Sequence, residues 1–242
     1  MRPTDPDAQP SGRARSAAST TRRTWTLTAA ATAAAAWWPW TARAQGGPVE
    51  GRDYIRLSAP MPTGAPAGQF EGIDFFWYGC PHCNAFEPAL EAWVRQLPAD
   101  VAFRRVPVAF RSEPYVAHQR IYYALDSLGL LGTMHAKVFQ AIHRDHLPLD
   151  RESDISAYVA SQGIDAAQFM QAYASFSTQT KLRQANRLVE GYQIDGVPAI
   201  GIHGRYYTSG TLAGENVRAL AVADWLVQRL RGGAASAIAT GR

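Results

Sequence analysis

The residues best suited to chemistry are two cysteines, Cys80 and Cys83, with Pro81 and His82 between them. The chain contains only these 2 cysteines, so neither sulfur can pair with a more distant one. Two neighbouring sulfurs can cycle between a dithiol and a disulfide, or they can bind a metal ion. A purely structural disulfide would close a very short loop here and would contribute little stability. The pattern therefore favours redox chemistry.

The segments that flank this Cys-x-x-Cys motif predict a strand that leads into a helix. Residues 73–78 (IDFFWY) are nearly all apolar, which is typical of a strand that is covered on both faces. Within residues 84–97 the apolar side chains recur three and four positions apart, as they do along one face of a helix. A strand that delivers Cys-x-x-Cys to the first turn of a helix is the thioredoxin-type redox arrangement.

Each position of the motif then has a predicted role. Cys80 is the predicted nucleophile, because the unpaired N–H groups and the dipole at a helix N-terminus favour a thiolate. Cys83 lies about one turn later and is the predicted resolving sulfur, while Pro81 has no N–H to lose and can start the helix. His82 can pair with the Cys80 sulfur and stabilise the reduced form, by about 1.4 kcal/mol for each unit of pKa. The alternative for His82 is an exposed polar residue without a role.

Residues 1–44 predict a cleaved export signal rather than part of the fold. A positive stretch ends at Arg22-Arg23, an alanine-rich apolar stretch covers residues 25–40, and Ala42-Arg43-Ala44 fits a small-residue cleavage site. The apolar run is shorter than the roughly 20 residues of a spanning helix. The arginine pair also resembles a twin-arginine signal, and we leave the choice between the two export routes open. Either route leads to an oxidising compartment, the periplasm.

The charge of the chain belongs to this leader. Residues 1–44 hold six arginines and two acids, so the rest of the chain has 18 basic and 18 acidic residues. A neutral remainder argues against nucleic-acid binding, which the basic isoelectric point would otherwise suggest.

The other segments predict strands and helices in a regular order. They are a short edge strand at 54–57, a strand at 101–110, five helices within 114–193, hairpin strands at 199–202 and 205–208, a helix at 214–230 and a frayed tail at 232–242. Pro107 implies a bulge or an end to regular pairing in the second long strand. This order predicts an α/β thioredoxin fold with an inserted all-helical subdomain at about 111–194, within one domain of residues 45–242.

The motif FFWYGCPHC before a helix, the helical segment, and Gly196-Val197-Pro198-Ala199 before the hairpin resemble the DsbA family of periplasmic thiol oxidases. This resemblance covers nearly all of residues 45–242. It implies a monomeric thiol:disulfide oxidoreductase that donates its disulfide to reduced, partly unfolded secreted proteins. It also implies that no cofactor is bound and that a DsbB-like, quinone-linked membrane oxidase restores the disulfide.

The resemblance implies further site residues. Pro198 is expected to be cis and to pack against the active-site disulfide, with the Val197 backbone facing an extended substrate. Asp74 corresponds to the buried acid that exchanges a proton with the inner cysteine, and Arg105 is where its partner base is expected. Simple structural pairing of Asp74 with Arg105 is the alternative interpretation.

The residues directly before Cys80 carry two further expectations. Gly79 replaces the bulky aromatic residue of the best-known family members, so we expect open space beside the active-site sulfur. Trp77 and Tyr78 are candidates for the lining of a groove that binds client proteins.

Three other interpretations remain at this point. A disulfide isomerase or reductase could use the same fold, although residues 45–70 leave little room for the dimerisation domain of such isomerases. A metal-binding module could use Cys80, His82 and Cys83, but no second ligand cluster is visible. The remaining histidines at 135, 143 and 146 are interpreted as a solvated helix face rather than as a metal site.

Overall fold

In the computed structural model, which describes residues 46–240, strand β2 (Phe70–Phe76) lies in a five-stranded sheet. The predicted leader at 1–44 lies outside the described residues. The other strands are β1 (Ile55–Arg56), β3 (Val101–Pro107), β4 (Ala199–Ile202) and β5 (Tyr206–Ser209). Their order across the sheet is β1-β5-β4-β2-β3. Strands β2 and β3 pair in parallel, and the other neighbours pair antiparallel. The edge strand, the two long strands and the hairpin therefore occur in the predicted order.

The helices pack on the sheet in two groups, each with its own hydrophobic cluster. Helices α1 (Pro81–Val94) and α8 (Asn216–Thr240) form one group with β4, joined by buried side chains such as Leu90 and Leu226. The other group packs around the end of β2, and it comprises α2 (Tyr115–Ser127), α3 (Leu131–His143), α4 (Glu152–Ser161), α5 (Ala166–Ala174) and α6 (Phe176–Tyr192). The short helix α7 (Gly210–Ala213) follows β5. The chain therefore has the predicted architecture, a thioredoxin-type sheet with an all-helical insertion.

Several boundaries differ from the predicted ones for local reasons. Strand β3 ends at Pro107 rather than at 110, because proline has no N–H to continue the ladder. Helix α1 begins at Pro81, as the role of that proline predicted, and ends at Val94 rather than at 97. Helix α8 continues through Thr240, so the predicted frayed tail from 232 is wrong.

Within residues 46–240, no helix is both long enough and apolar enough to span a bilayer.

Candidate active site

The two cysteines occupy different positions at the start of α1. Cys80 is the N-cap residue, with extended backbone angles (φ −86°, ψ 116°), and its Sγ accepts a hydrogen bond from the Cys83 N–H at 3.4 Å. Pro81 follows in the first turn, as predicted. Both cysteines are free thiols; Cys80 is 7% exposed and Cys83 is 2% exposed. Only Cys80 lies at the end of the helix where N–H groups lack partners in the helix.

This placement separates the acidities of the two thiols. The side chain of Cys83 donates to the Cys80 sulfur, and this is the largest of the contacts that together lower the pKa of Cys80 to about 6 against the opposing effect of burial. The N–H groups of Cys83 and His82 and the imidazole of His82 contribute to the same lowering. Burial, reinforced by the hydrogen bond and charge of Cys80, raises the pKa of Cys83 far above its usual value. At neutral pH Cys80 is therefore largely a thiolate and Cys83 a thiol.

The cis-proline loop lies directly beside the Cys80 sulfur. The Val197–Pro198 bond is cis, as the resemblance implied, and Pro198 is buried. The Cys80 Sγ lies 3.5 Å from the Val197 carbonyl oxygen. A groove of about 740 Å³ extends from here, with exposed His82 on one side and Val197, Pro198 and Tyr207 among its lining residues. The sequence elements 80–83 and 197–198 thus meet in one site.

Asp74 lies below this site, where it is 1% exposed, and burial raises its pKa well above the usual value. The negative charge of Glu87 raises that pKa further. Arg105 is its partner in the β2–β3 register, but the Arg105 Nε is 3.9 Å from Oδ2, too far for a hydrogen bond. Neither carboxyl oxygen of Asp74 has a hydrogen-bond partner among the described residues. Burial without hydrogen-bond partners therefore favours the neutral, protonated form of Asp74.

Arg105 makes its hydrogen bonds with α1 instead. Its guanidinium Nη2 donates to Glu87 at 3.1 Å and to Glu91 at 2.5 Å. Arg105 thus lies near Asp74, as predicted, while its closest partners are two acids that the sequence analysis did not single out. A signal for Glu87 was present, because it lies four residues after Cys83 and three before Leu90, on the otherwise apolar face of α1.

His135 also belongs to this cluster, and its assignment to a solvated face was wrong. It is only 8% exposed. Its Nδ1 lies 2.8 Å from the Tyr78 hydroxyl oxygen, and its Nε2 lies 3.4 Å from Glu87 Oε1. His143, two turns later on α3, donates from Nε2 to the Tyr78 carbonyl at 2.7 Å. Only His146 is exposed, as predicted.

The residues before Cys80 differ from expectation in two respects. Tyr78 is fully buried among aromatic side chains, so it does not line a client-binding groove. A Cβ atom at Gly79 would overlap the indole of Trp77, which stacks on Tyr115 with ring centroids 4.1 Å apart. The space that a side chain at position 79 would take is therefore occupied by the Trp77 ring rather than open. A larger residue at this position would have to displace that ring.

Metal binding was the alternative from another class of protein. Within the described residues, no group of three or more His, Cys, Asp or Glu side chains is arranged to hold a metal ion. The histidines at 135 and 143 contact Tyr78 instead.

Comparison with known proteins agrees with this geometry. A family model described as a DSBA-like thioredoxin domain matches residues 73–220. The thiol:disulfide interchange protein DsbA of Burkholderia cepacia is 39% identical over 184 residues, which cover 76% of this chain and 86% of that protein. The DsbA of Bordetella pertussis is 40% identical over 192 residues, with 78% and 88% covered. The crystal structure of Pseudomonas aeruginosa DsbA superposes with a TM-score of 0.73 at 36% identity and covers 77% of this chain and 96% of that one.

The fold and the paired thiols define the class of protein, a protein dithiol–disulfide oxidoreductase of the thioredoxin type. Within that class, the chain belongs to the family with a DSBA-like thioredoxin domain.

Proposed function

We propose that the chain, after removal of residues 1–44, donates disulfides to reduced, partly unfolded secreted proteins in the periplasm. The observation that carries this proposal is the difference between the two sulfurs: the pKa of Cys80 is lowered to about 6 and that of Cys83 is raised. A stabilised Cys80 thiolate stabilises the reduced protein, and the disulfide is therefore a stronger oxidant. The DsbA relatives are thiol:disulfide interchange proteins by name, which supports exchange chemistry at the same pair of cysteines.

The reaction consists of two thiol–disulfide exchanges. A substrate thiolate attacks Cys80 Sγ, the bond between Cys80 and Cys83 breaks, and Cys83 leaves with the electron pair and takes a proton. A second substrate thiolate then attacks the substrate sulfur of the mixed disulfide and displaces Cys80 as a thiolate. Two electrons pass from the substrate dithiol to the cysteine pair, and the substrate gains one disulfide. Cys80 is a better leaving group in the second step than an ordinary thiol, because its pKa is lower.

Asp74 is the proposed source of the proton that Cys83 takes up. Its carboxyl group is neutral and lies close enough that its ionised form would raise the pKa of Cys83. Arg105 supports this arrangement by compensating the nearby carboxylates of Glu87 and Glu91. Purely structural pairing of Asp74 with Arg105 is less favoured, because their 3.9 Å separation exceeds a hydrogen bond.

The groove beside the cis-proline loop is the proposed substrate site. An extended substrate would run past Val197, whose carbonyl lies 3.5 Å from the Cys80 sulfur, while exposed His82 lies at the edge of the same groove. A DsbB-like, quinone-linked membrane oxidase is the proposed partner that restores the disulfide, and the protein acts as a monomer without a bound cofactor.

The redox equilibrium of Cys80 and Cys83 with a glutathione series tests the proposal. Intrinsic fluorescence can follow it, since Trp77 lies three residues before Cys80. We expect half-oxidation at a potential well above that of the glutathione pool. A midpoint potential in the thioredoxin range would instead identify a reductase, and a quinone-linked partner would no longer be expected.

A further inference from the structure

His135 connects the two sides of the cysteine pair. It lies on α3 of the helical insertion, while Tyr78 comes two residues before Cys80 and Glu87 four residues after Cys83. The ring reaches Tyr78 with Nδ1 at 2.8 Å and Glu87 with Nε2 at 3.4 Å. The second contact is longer than an ordinary hydrogen bond, so the interaction there is mainly electrostatic. His135 Nε2 has no hydrogen-bond partner among the described residues, and Glu87 is the carboxylate that faces it.

The tautomer with its proton on Nε2 satisfies both contacts. Its Nδ1 accepts from the buried Tyr78 hydroxyl, whose pKa burial raises well above the usual value. Its Nε2–H faces the Glu87 carboxylate. Burial by itself would raise the pKa of Glu87, but the contacts with His135 and Arg105 lower it below its usual value. Glu87 is accordingly ionised.

The charged and titratable groups around His135 come from four other elements. They are Glu87 and Glu91 on α1, Asp74 on β2 with Tyr78 just after it, Arg105 on β3 and Tyr122 on α2, whose ring centroid is 6.0 Å from that of His135. A cavity of about 480 Å³ opens onto Glu87, Arg105 and His135. The cluster therefore lies between Asp74, which is fully buried, and the solvent.

We propose that His135 is a positioning residue for thiol exchange, which keeps Glu87 ionised against Arg105 and thereby keeps the exchangeable proton on Asp74. This inference rests on the proposed proton transfer from Asp74 to Cys83. Without a donor at Nε2, Glu87 takes up a proton more readily, and its negative charge no longer holds the proton on Asp74. The helical insertion thus sets the protonation state beneath the inner cysteine through one side chain.

Two conservative substitutions separate the two contacts of the ring. The amide of His135→Gln can reach the position of Nε2 and donate to Glu87, whereas that of His135→Asn reaches only the position of Nδ1 and can accept from Tyr78. The measurement is the pH profile of the rate at which glutathione cleaves the Cys80–Cys83 disulfide, followed by tryptophan fluorescence. We expect His135→Asn to move the apparent pKa of this profile down by about one unit, a tenfold change in the underlying equilibrium, and His135→Gln to leave it in place.

His143→Gln is the matched control. His143 lies on the same helix, and its Nε2 donates to the carbonyl of the same tyrosine rather than to the acid cluster. Its substitution should leave the profile unchanged. If His143→Gln moved the profile as far as His135→Asn does, the effect would come from the packing of the loop, and the proposal would be overturned. Equal profiles for His135→Asn and the unsubstituted protein would overturn it as well.

Infrared spectroscopy detects the proton on the Asp74 carboxyl group directly, without any exchange reaction. The carbonyl stretch of the protonated carboxyl group should disappear on Asp74→Asn in the otherwise unsubstituted protein. In the His135→Asn background we expect the band to become sensitive to Glu87→Gln instead. A band that stays on Asp74 in both backgrounds would overturn the role of His135. If Asp74→Asn left the exchange profile unchanged while the band moved as expected, the proton-transfer proposal would fail, and with it the role of His135 in exchange, whereas its control of the Asp74 proton would stand.

Discussion

Cys80 and Cys83 are chemically identical residues that the helix makes different. The sulfur at the N-cap receives hydrogen bonds from the first turn, whereas the sulfur one turn later is surrounded by protein and far from solvent. Their pKa values move in opposite directions for that reason. The direction of disulfide transfer is therefore a consequence of three residues of spacing at the start of one helix.

At this scale His82→Ala should make the disulfide less oxidising. The imidazole is one of the groups that lower the pKa of Cys80, although the hydrogen bond from Cys83 is the largest contribution. If the pKa of Cys80 rose by one unit from about 6, the stabilisation of the reduced form at pH 7 would weaken roughly fivefold. The glutathione equilibrium measures this change directly, with Asn84→Ala one position after Cys83 as the control. An equilibrium constant equal to that of the unsubstituted protein would show that His82 does not act on the sulfur.

At the scale of elements, β2 carries two buried acids with different environments. Glu71 is 1% exposed, and its Oε1 accepts from Arg104 at 3.0 Å and from the Gly64 N–H at 2.8 Å. Asp74, three residues later, is equally buried but has no hydrogen-bond partner among the described residues. A carboxyl group that is buried without partners favours its protonated form. The same strand therefore holds one structural acid and one that can supply a proton.

Asp74→Asn should remove the pH dependence of the step in which Cys83 leaves, with little loss of stability, since the neutral carboxyl group is replaced by a neutral amide of similar size. Rapid mixing of the oxidised protein with a thiol between roughly pH 5 and pH 8, which lies above the usual carboxyl range, would measure this. Glu71→Gln is the matched control, and it should lower stability while leaving the profile unchanged. A pH profile that is the same before and after Asp74→Asn would contradict the proton-transfer role.

At the scale of the whole molecule, the lowered pKa of Cys80 links redox state to stability. The folded protein releases the Cys80 proton near pH 6, whereas the unfolded chain releases it near the usual value of 9.0. The resulting stability is fully present above the unfolded pKa and is lost as the pH falls through the folded pKa. The raised pKa of Cys83 adds no such dependence while the pH stays well below 9.0, because that thiol is then protonated in both states.

The reduced protein should therefore gain stability relative to Cys80→Ser as the pH rises from about 6 towards 9. The expected slope is about 1.4 kcal/mol per pH unit. Denaturant unfolding of both proteins under reducing conditions at several pH values measures it, and subtraction removes the contributions of all other groups. Parallel stability curves for the two proteins would show that the Cys80 thiolate is not stabilised by folding.

The local pattern of the sequence determined the fold class, the order of the elements and the central motif. Apolar runs and helical periodicity depend on neighbours a few positions apart, so they identified β2, α1 and the helical segment without knowledge of the rest. The cysteine pair and the valine–proline pair were likewise visible as short motifs. The ends of the helices were predicted less well, because they depend on caps and on packing that a short stretch of sequence does not contain.

Only the tertiary structure decided which side chains meet around the cysteines. Glu87 and His135 are 48 positions apart, and nothing in either local pattern indicates that the helical insertion brings them together. Trp77 fills the space at Gly79 because its ring stacks on Tyr115, which lies at the start of helix α2. Burial and long-range pairing, which set the pKa values of Asp74 and Cys83, are properties of the packed molecule. The sequence thus specifies the reacting sulfurs, and the fold specifies the charges that control them.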